Sequence, residues 1–249
     1  TKAAFNDQAF PASFASSMPN AGLSWETTDQ SDIGADIAFL NNRLVFEMDY
    51  YKKKTNRLML DKKVPYYTGF STIVDNVGTL DNKGFEFTLD ARIAEKAIKW
   101  NSALNVSINR NKVLSLADGG TMIPGSYEAS GNYAGIIHNM IIVGQPLGTF
   151  YGYKTNGIYQ YGEDLSQAPK QPNSLASQPG DIRYIDLSGP QGVPDGIIND
   201  FDKKILGDAM PKLTFGFTNT FDYKGFDFSI FINGYSGNKI FNMSRFRTY

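Results

Sequence analysis

Between Asp186 and Asp202 the chain carries carboxylates, amides and a hydroxyl at spacings that suit a hard cation. Asp186-Leu187-Ser188 is followed by Asp195-Gly196-Ile197-Ile198-Asn199-Asp200-Phe201-Asp202. Calcium gathers oxygens from alternating positions around a glycine turn, at about 2.3–2.6 Å. In that reading Asp186, Ser188, Asp195 and Asp202 supply side-chain oxygens. Ile197 supplies its backbone carbonyl, as the seventh position of such a loop does. Two features depart from the pattern: Gly189–Pro194 is inserted after the first ligands, and Asp202 stands where a Glu is usual. Converging carboxylates repel one another without an ion, so convergence itself would argue for metal. The same residues also make a chain of Asx turns, in which Asp and Asn side chains accept from nearby backbone amides. Both readings stand at this level. A second constellation is Tyr151, Tyr153, Tyr159 and Tyr161, in a Gly-rich segment. Their ring faces suit stacking on a sugar ligand, and equally suit packing within a folded loop. His138 is the only histidine and has no partner at catalytic spacing, which points to a structural role. No phosphate loop, nucleophile motif or paired-carboxylate arrangement stands out, so no catalytic residue is nominated and no enzyme is expected.

The elements that must carry these loops are strands. From Gly78 to Lys112 the sequence reads as two long strands with a turn near Ala94–Ala97. Phe85, Phe87, Leu89, Ala91 and Ile93 alternate with Glu86, Thr88, Asp90 and Arg92. Trp100, Leu104, Val106 and Ile108 alternate with Asn101, Asn105, Ser107 and Asn109. Successive side chains of a strand point to opposite faces, so each strand has one apolar and one polar face. Two earlier strands meet at Asn41-Asn42: Ile33, Ala35, Ile37 and Phe39, then Leu44, Phe46, Met48 and Tyr50, carry the apolar face. A later pair turns at Tyr223-Lys224-Gly225, with Phe215 and Phe217, then Phe226, Phe228, Ile230 and Ile232, as apolar positions. Residues 1–23 and 55–77 read as loops, and the alternation lapses from about 112 to 211. So long a stretch without structure is improbable in a compact domain, and a folded insertion is expected, with Phe150, Tyr151, Tyr153, Ile158 and Tyr159 packed inside it. The organisation expected is strands and loops over 24–111, an insertion over 112–211 and a hairpin over 212–249, within one domain.

The 249 residues include 18 Phe, 14 Tyr and no Cys, which excludes disulfides and thiolate metal sites. Twenty-four Lys and Arg against 25 Asp and Glu leave a formal charge of −1, so no global field draws nucleic acid. No apolar run approaches the roughly 20 residues of a membrane helix. With Thr1 at its start and a strand-like segment near Tyr249, the chain reads as an internal piece of something longer. Connections alternate short and long, which is the rhythm of outer-membrane barrels; a soluble carbohydrate-binding or adhesion β-module is the alternative.

Eight blocks, in order, carry a resemblance. They are LSWETTDQSDIGAD (23–36), NNRLVFEMDYYKKKTNRLML (41–60), NVGTLDNKGFEFTL (76–89), WNSALNVSINRNKVLSL (100–116), VGQPLGTFYGYKTNGIYQ (143–160), PGDIRYIDLSG (179–189), DGIINDFDKKILG (195–207) and PKLTFGFTNTFDYKGFDFSIFINGYSGN (211–238). Together they resemble the SusC/RagA family of TonB-dependent outer-membrane transporters. The resemblance implies an all-β fold: about six membrane strands from the C-terminal half of a roughly 22-stranded antiparallel transmembrane β-barrel, with 112–211 as a large extracellular insertion. It implies a multi-pass protein of a Gram-negative outer membrane that imports oligosaccharides or peptides. It further implies a SusD-like surface lipoprotein as partner, contact with membrane lipid, and energy from TonB through a part of the chain absent here. No cofactor follows from it beyond the calcium considered above.

Overall fold

The structure, a computed structural model, describes residues 2–5, 8–11, 18–70, 72–117, 120–127, 137–172 and 175–242. The side chains of residues 2–11, 63, 66, 125–127 and 137–138, His138 among them, lie outside that description.

The strands are β1 (Lys2–Phe5), β2 (Gln8–Pro11), β3 (Thr27–Phe39), β4 (Leu44–Lys63), β5 (Thr72–Glu95), β6 (Ile98–Leu116), β7 (Met122–Tyr127), β8 (Ile137–Ile142), β9 (Thr149–Tyr153), β10 (Thr155–Ile158), β11 (Ile182–Tyr184), β12 (Lys203–Asp208), β13 (Leu213–Tyr223) and β14 (Phe226–Ser236). Among the described residues there is no α-helix. Six strands form one antiparallel sheet in the order β14-β13-β6-β5-β4-β3. A second sheet runs β12-β9-β8-β7, and β1–β2 and β10–β11 are separate pairs. Among the described residues the large sheet is open at both edges, as an arc of a larger barrel is, since a membrane barrel closes with about eight strands or more.

Register turns the alternation into continuous faces. Ile33 lies opposite Tyr50, Tyr50 opposite Phe85, and Phe85 opposite Ile108. The next rows join Ala35, Met48, Phe87, Val106 and Phe215, then Ile37, Phe46, Leu89, Leu104, Phe217 and Ile232. A one-residue slip would send every one of these to the other face, so the apolar pattern itself pins the register. Phe85, Ile108, Phe215, Phe217, Phe228 and Ile230 are exposed, and Phe87, Leu89, Leu104 and Val106 are half-buried by neighbours in the same sheet. None belongs to the buried cluster of the molecule, which lies elsewhere. Two polar residues interrupt the face, Ser102 and Asn219, directly opposite each other; Asn219 is buried, and its Oδ1 accepts from Trp100 Nε1 at 2.9 Å.

The three short turns all lie at one end. Leu40, Asn41 and Asn42 take φ of 53°, 55° and 60°, and Lys224 and Gly225 take 49° and 82°. The Lys224-Gly225 pair is a two-residue turn whose positive φ values match the right-handed twist of the flanking strands, and the three-residue run at Leu40–Asn42 draws on the tolerance of Asn for the left-handed region. The third turn is only Lys96-Ala97. At the opposite end lie the connection 64–71 and the insertion between β6 and β13.

Several loop expectations need correction. Most of 55–77 is strand, because β4 runs to Lys63 and β5 begins at Thr72. The register shifts between Asn56 and Leu58 and again before Met59, and Arg57 has φ 57°. A bulge of this kind breaks the period of two and conceals the strand. A second shift, between Thr79 and Leu80, hides the continuation of β6 beyond Asn111 to Leu116. Within 1–23 the β1–β2 pair forms from two four-residue segments, KAAF and QAFP, too short for any alternation to announce it. At about 3.3 Å per residue the 24 residues of β5 extend roughly 80 Å, far beyond the ~25 Å apolar band of a membrane barrel.

The core sits at the long-connection end. Leu80, Val113, Leu116 and Ile141 are buried there, with Leu60, Ile123, Val143 and Leu147 packed on them. Asn111 Oδ1 accepts from Leu147 N at 2.7 Å, and Val113 exchanges backbone bonds with Gln145 and Gly144 at 3.0 and 2.8 Å. The insertion is therefore bonded to the ends of the long strands.

Candidate functional site

The polar face of the six-stranded sheet gathers chemistry-bearing side chains from several strands. Asp36 lies directly opposite Glu47, and Asp49 directly opposite Glu86. Asp90 falls on the same face, two residues beyond Thr88. Like charges directly opposite cost roughly 0.2–1 kcal/mol each. The cations of this face, Lys53, Arg92 and Lys99, flank the acidic group rather than enter it. Glycines make room for larger neighbours: the Tyr51 ring lies across Gly84, and the Asp49 carboxylate lies over Gly34. Phe231 and Tyr235 stand on this face too, 64% and 61% exposed. The sequence reading missed these two aromatics. The signal was their parity, since both alternate with Phe228, Ile230 and Ile232.

The Asp-rich loop is built from carboxylate–amide bonds. Asp202 is fully buried: Oδ1 accepts from Leu187 N at 2.6 Å and Ser188 N at 3.1 Å, and Oδ2 from Asn199 N at 2.8 Å. Burial pushes its carboxyl up, but the amides of Asn199, Leu187 and Ser188, with the Asp186 side chain, outweigh that and hold it below the usual carboxylate range. Asp202 thus ties Asp186–Ser188 to the 3-10 turn Asp200–Asp202, whose N-cap is Asn199. Asp186 Oδ2 accepts from Gly196 N at 2.6 Å, and Asp195 Oδ1 from Ile197 N at 3.0 Å. The Ile197 carbonyl accepts from Asn199 Nδ2 at 3.2 Å. Asp186, Ser188 and Asp202 are thus brought together, and Asp195 reaches the group through its packing on Gly189. Oδ1 of Asp186 is buried without a hydrogen-bond partner. Among the described residues no group of three or more acidic or histidine side chains has a metal-holding arrangement.

The four tyrosines do not share one surface. Tyr159 is buried, with the Arg183 guanidinium 4.7 Å above its ring. Tyr153 meets Tyr184 edge-on at 5.3 Å and carries Lys203 Nζ at 5.3 Å. Tyr151 is half-buried, opposite Ile205 of β12. Tyr161 alone is open, at 97% exposure. Ile158, expected inside, is exposed on β10. Tyr151, Tyr153 and Tyr159 pack within the insertion, and the Tyr161 ring stands in the open.

The family model "TonB dependent receptor-like, beta-barrel" matches residues 3–229. "TonB-dependent receptor P3" of Formosa agariphila is 37% identical over 226 residues, covering 90% of this chain and 22% of that protein. "TonB-dependent receptor SusC" of Bacteroides thetaiotaomicron is 28% identical over 224 residues, covering 89% of this chain and 20% of that protein. The chain therefore spans about a fifth of the length of these curated relatives. Among solved structures, the RagAB peptide transporter superposes with a TM-score of 0.71 at 23% identity, over 96% of this chain and 24% of that one.

Proposed function

The chain belongs to the TonB-dependent receptor β-barrel family, and from that premise we propose that it is a six-strand wall segment of an outer-membrane importer. The single observation that carries this reading is the uncovered apolar face. Burying a large apolar side chain is worth about 1.5–3 kcal/mol. Ten such side chains, six of them 36–61% exposed and four half-buried, forgo about 5–10 kcal/mol in water, comparable with the whole stability of a typical domain. In lipid that penalty vanishes. The short turns then face the periplasm, and the insertion stands outside the cell.

The cargo proposed is an oligosaccharide or peptide, passed from a SusD-like surface lipoprotein, with TonB acting on another part of the whole protein. The wall supports that class: Phe231 and Tyr235 offer ring faces, while Asp36, Glu47, Asp49, Glu86 and Asp90 suit hydroxyl or ammonium groups and repel anions. Affinity purification of the tagged full-length protein from outer membranes tests the partner. The expected result is a lipoprotein recovered at near one-to-one ratio; recovery of the barrel alone would reject it.

For the 186–202 loop we propose a structural role, fixing the insertion at the barrel mouth. A second reading places calcium at Asp186, Ser188, Asp195, Ile197 and Asp202, and the buried, unpartnered Oδ1 of Asp186 favours it. Calcium addition would then raise the unfolding temperature of the loop and a chelator would lower it; a loop indifferent to both is the result the purely structural role predicts.

A further inference from the structure

One row of the lipid-side face carries an unbalanced charge. Lys52 lies directly opposite Lys83, and Lys83 directly opposite Arg110. All three are exposed. Two residues nearer the turns, the same face carries the apolar row Ile33, Tyr50, Phe85 and Ile108. Two residues the other way lies a self-neutralising row, in which Asp29 and Asp81 alternate with Lys54 and Lys112. The basic row therefore marks the upper border of the apolar band. No carboxylate falls within it, and no salt bridge to Lys52, Lys83 or Arg110 exists among the described residues. Arg110 Nη1 donates to the carbonyls of Asn109 and Lys212 at 2.7 and 2.6 Å, which holds the guanidinium in the row.

Adjacent strands are about 4.8 Å apart, so three like charges crowd within roughly 10 Å. Like charges directly opposite destabilise a strand pair, and here the effect is repeated across three strands. An anion bridging them removes that repulsion. Its position fixes its chemistry: the charge must sit at headgroup level, above acyl chains that lie on Tyr50, Phe85 and Ile108. We infer that Lys52, Lys83 and Arg110 form a binding site for the phosphate of an outer-leaflet glycolipid, the phosphorylated glucosamine headgroup of lipid A. Arg110 offers a planar donor fork to phosphate oxygens, and the two lysines act as point charges. The self-neutral row beyond it suits the uncharged sugars of the same headgroup.

This rests on the barrel orientation proposed above, in which the insertion end faces outward. The test uses the full-length protein extracted in detergent, incubated with phosphorylated lipid A, and read by native mass spectrometry. Dephosphorylated lipid A and phosphatidylglycerol are the comparison probes. Phosphorylated lipid A is expected to bind best. The K52Q/K83Q/R110Q variant should lose roughly a hundredfold in apparent affinity, at about fivefold per cation near a lipid surface. The K54Q/K112Q variant should lose no more than a few-fold. Equal binding by the triple variant, or equal retention of dephosphorylated lipid A, would overturn the site. Preference for phosphatidylglycerol would overturn the glycolipid assignment. Failure of the barrel reading looks different: the protein would then leave the membrane fraction without detergent.

Discussion

Replacing Leu104 with arginine is expected to cost about 2–4 kcal/mol of barrel stability. Leu104 lies in the middle of the apolar positions of β6, which run from Ile98 to Ile108. Those ten residue steps extend roughly 33 Å along the strand, or ~25 Å of height at a tilt of about 40°, which is the thickness of the apolar band. A guanidinium at that depth has no water, and Leu89 and Phe217 beside it offer no counter-charge. The contrast is Ser107→Arg, on the opposite face. There the new cation sits across from Glu86, whose Oε1 already accepts from Ser107 Oγ at 3.5 Å, and the expected cost is under about 1 kcal/mol. Urea unfolding of the full-length barrel in lipid vesicles measures both. Similar costs for the two substitutions would mean that the two faces do not meet different solvents.

The second large effect is expected at Asp202. Its carboxylate accepts three backbone amides in a buried setting, and hydrogen bonds to a charged group contribute about 1.5–3 kcal/mol each, not additively. Asp202→Ala should therefore destabilise the 186–202 loop by on the order of 3 kcal/mol and leave the strands β3–β6 intact. Hydrogen exchange at Leu187, Ser188 and Asn199 should accelerate by roughly a hundredfold, with no change in the long strands. Asp200→Ala is the control: its Oδ1 pairs with Lys203 Nζ at 2.7 Å on an exposed side chain, a contact worth about 0–1 kcal/mol. The pH dependence has a definite sign. Because the folded Asp202 carboxyl is held below its ordinary value, its contribution is complete above about pH 4 and is lost as pH falls through the depressed value. Protection of the same three amides should fade in that acid window.

What the sequence disclosed, and what it withheld, divides along physical lines. The strand pairs with strict alternation were legible to the face: Phe85, Phe87 and Leu89 could only share a side with Val106 and Leu104 if register followed the apolar pattern. Asn41-Asn42 and Lys224-Gly225 announced their turns through residues that tolerate positive φ. Bulges defeated the same logic. One extra residue at Arg57 exchanges the faces, so Leu58 and Leu60 read as loop although they are strand. Pairing inside the insertion was not legible, because β9 finds β12 some fifty residues away and no local signal encodes that choice. The acidic residues of the polar face were visible as alternating positions, yet their direct opposition, Asp36 to Glu47 and Asp49 to Glu86, exists only once the register is known. In the Asp-rich loop the sequence named the participating residues. It did not say that Asp202 would be the buried hub, since that depends on the return of Leu187 and Ser188 to its carboxylate.

The most direct test of the central claim, that one face of this sheet meets lipid and the other water, is a spin-label scan. The chain has no cysteine, so single cysteines can be introduced at each position from Gly84 to Arg92 of the full-length protein without background labelling from this segment. Collision with oxygen, which concentrates in lipid, is compared with collision with a water-soluble nickel complex. The account predicts a period of two: oxygen access high at Phe85, Phe87, Leu89 and Ala91, and nickel access high at Glu86, Thr88, Asp90 and Arg92. Equal access to the nickel complex on both faces, or low access to both reagents at Phe85 and Phe87 from a covering protein layer, would contradict it.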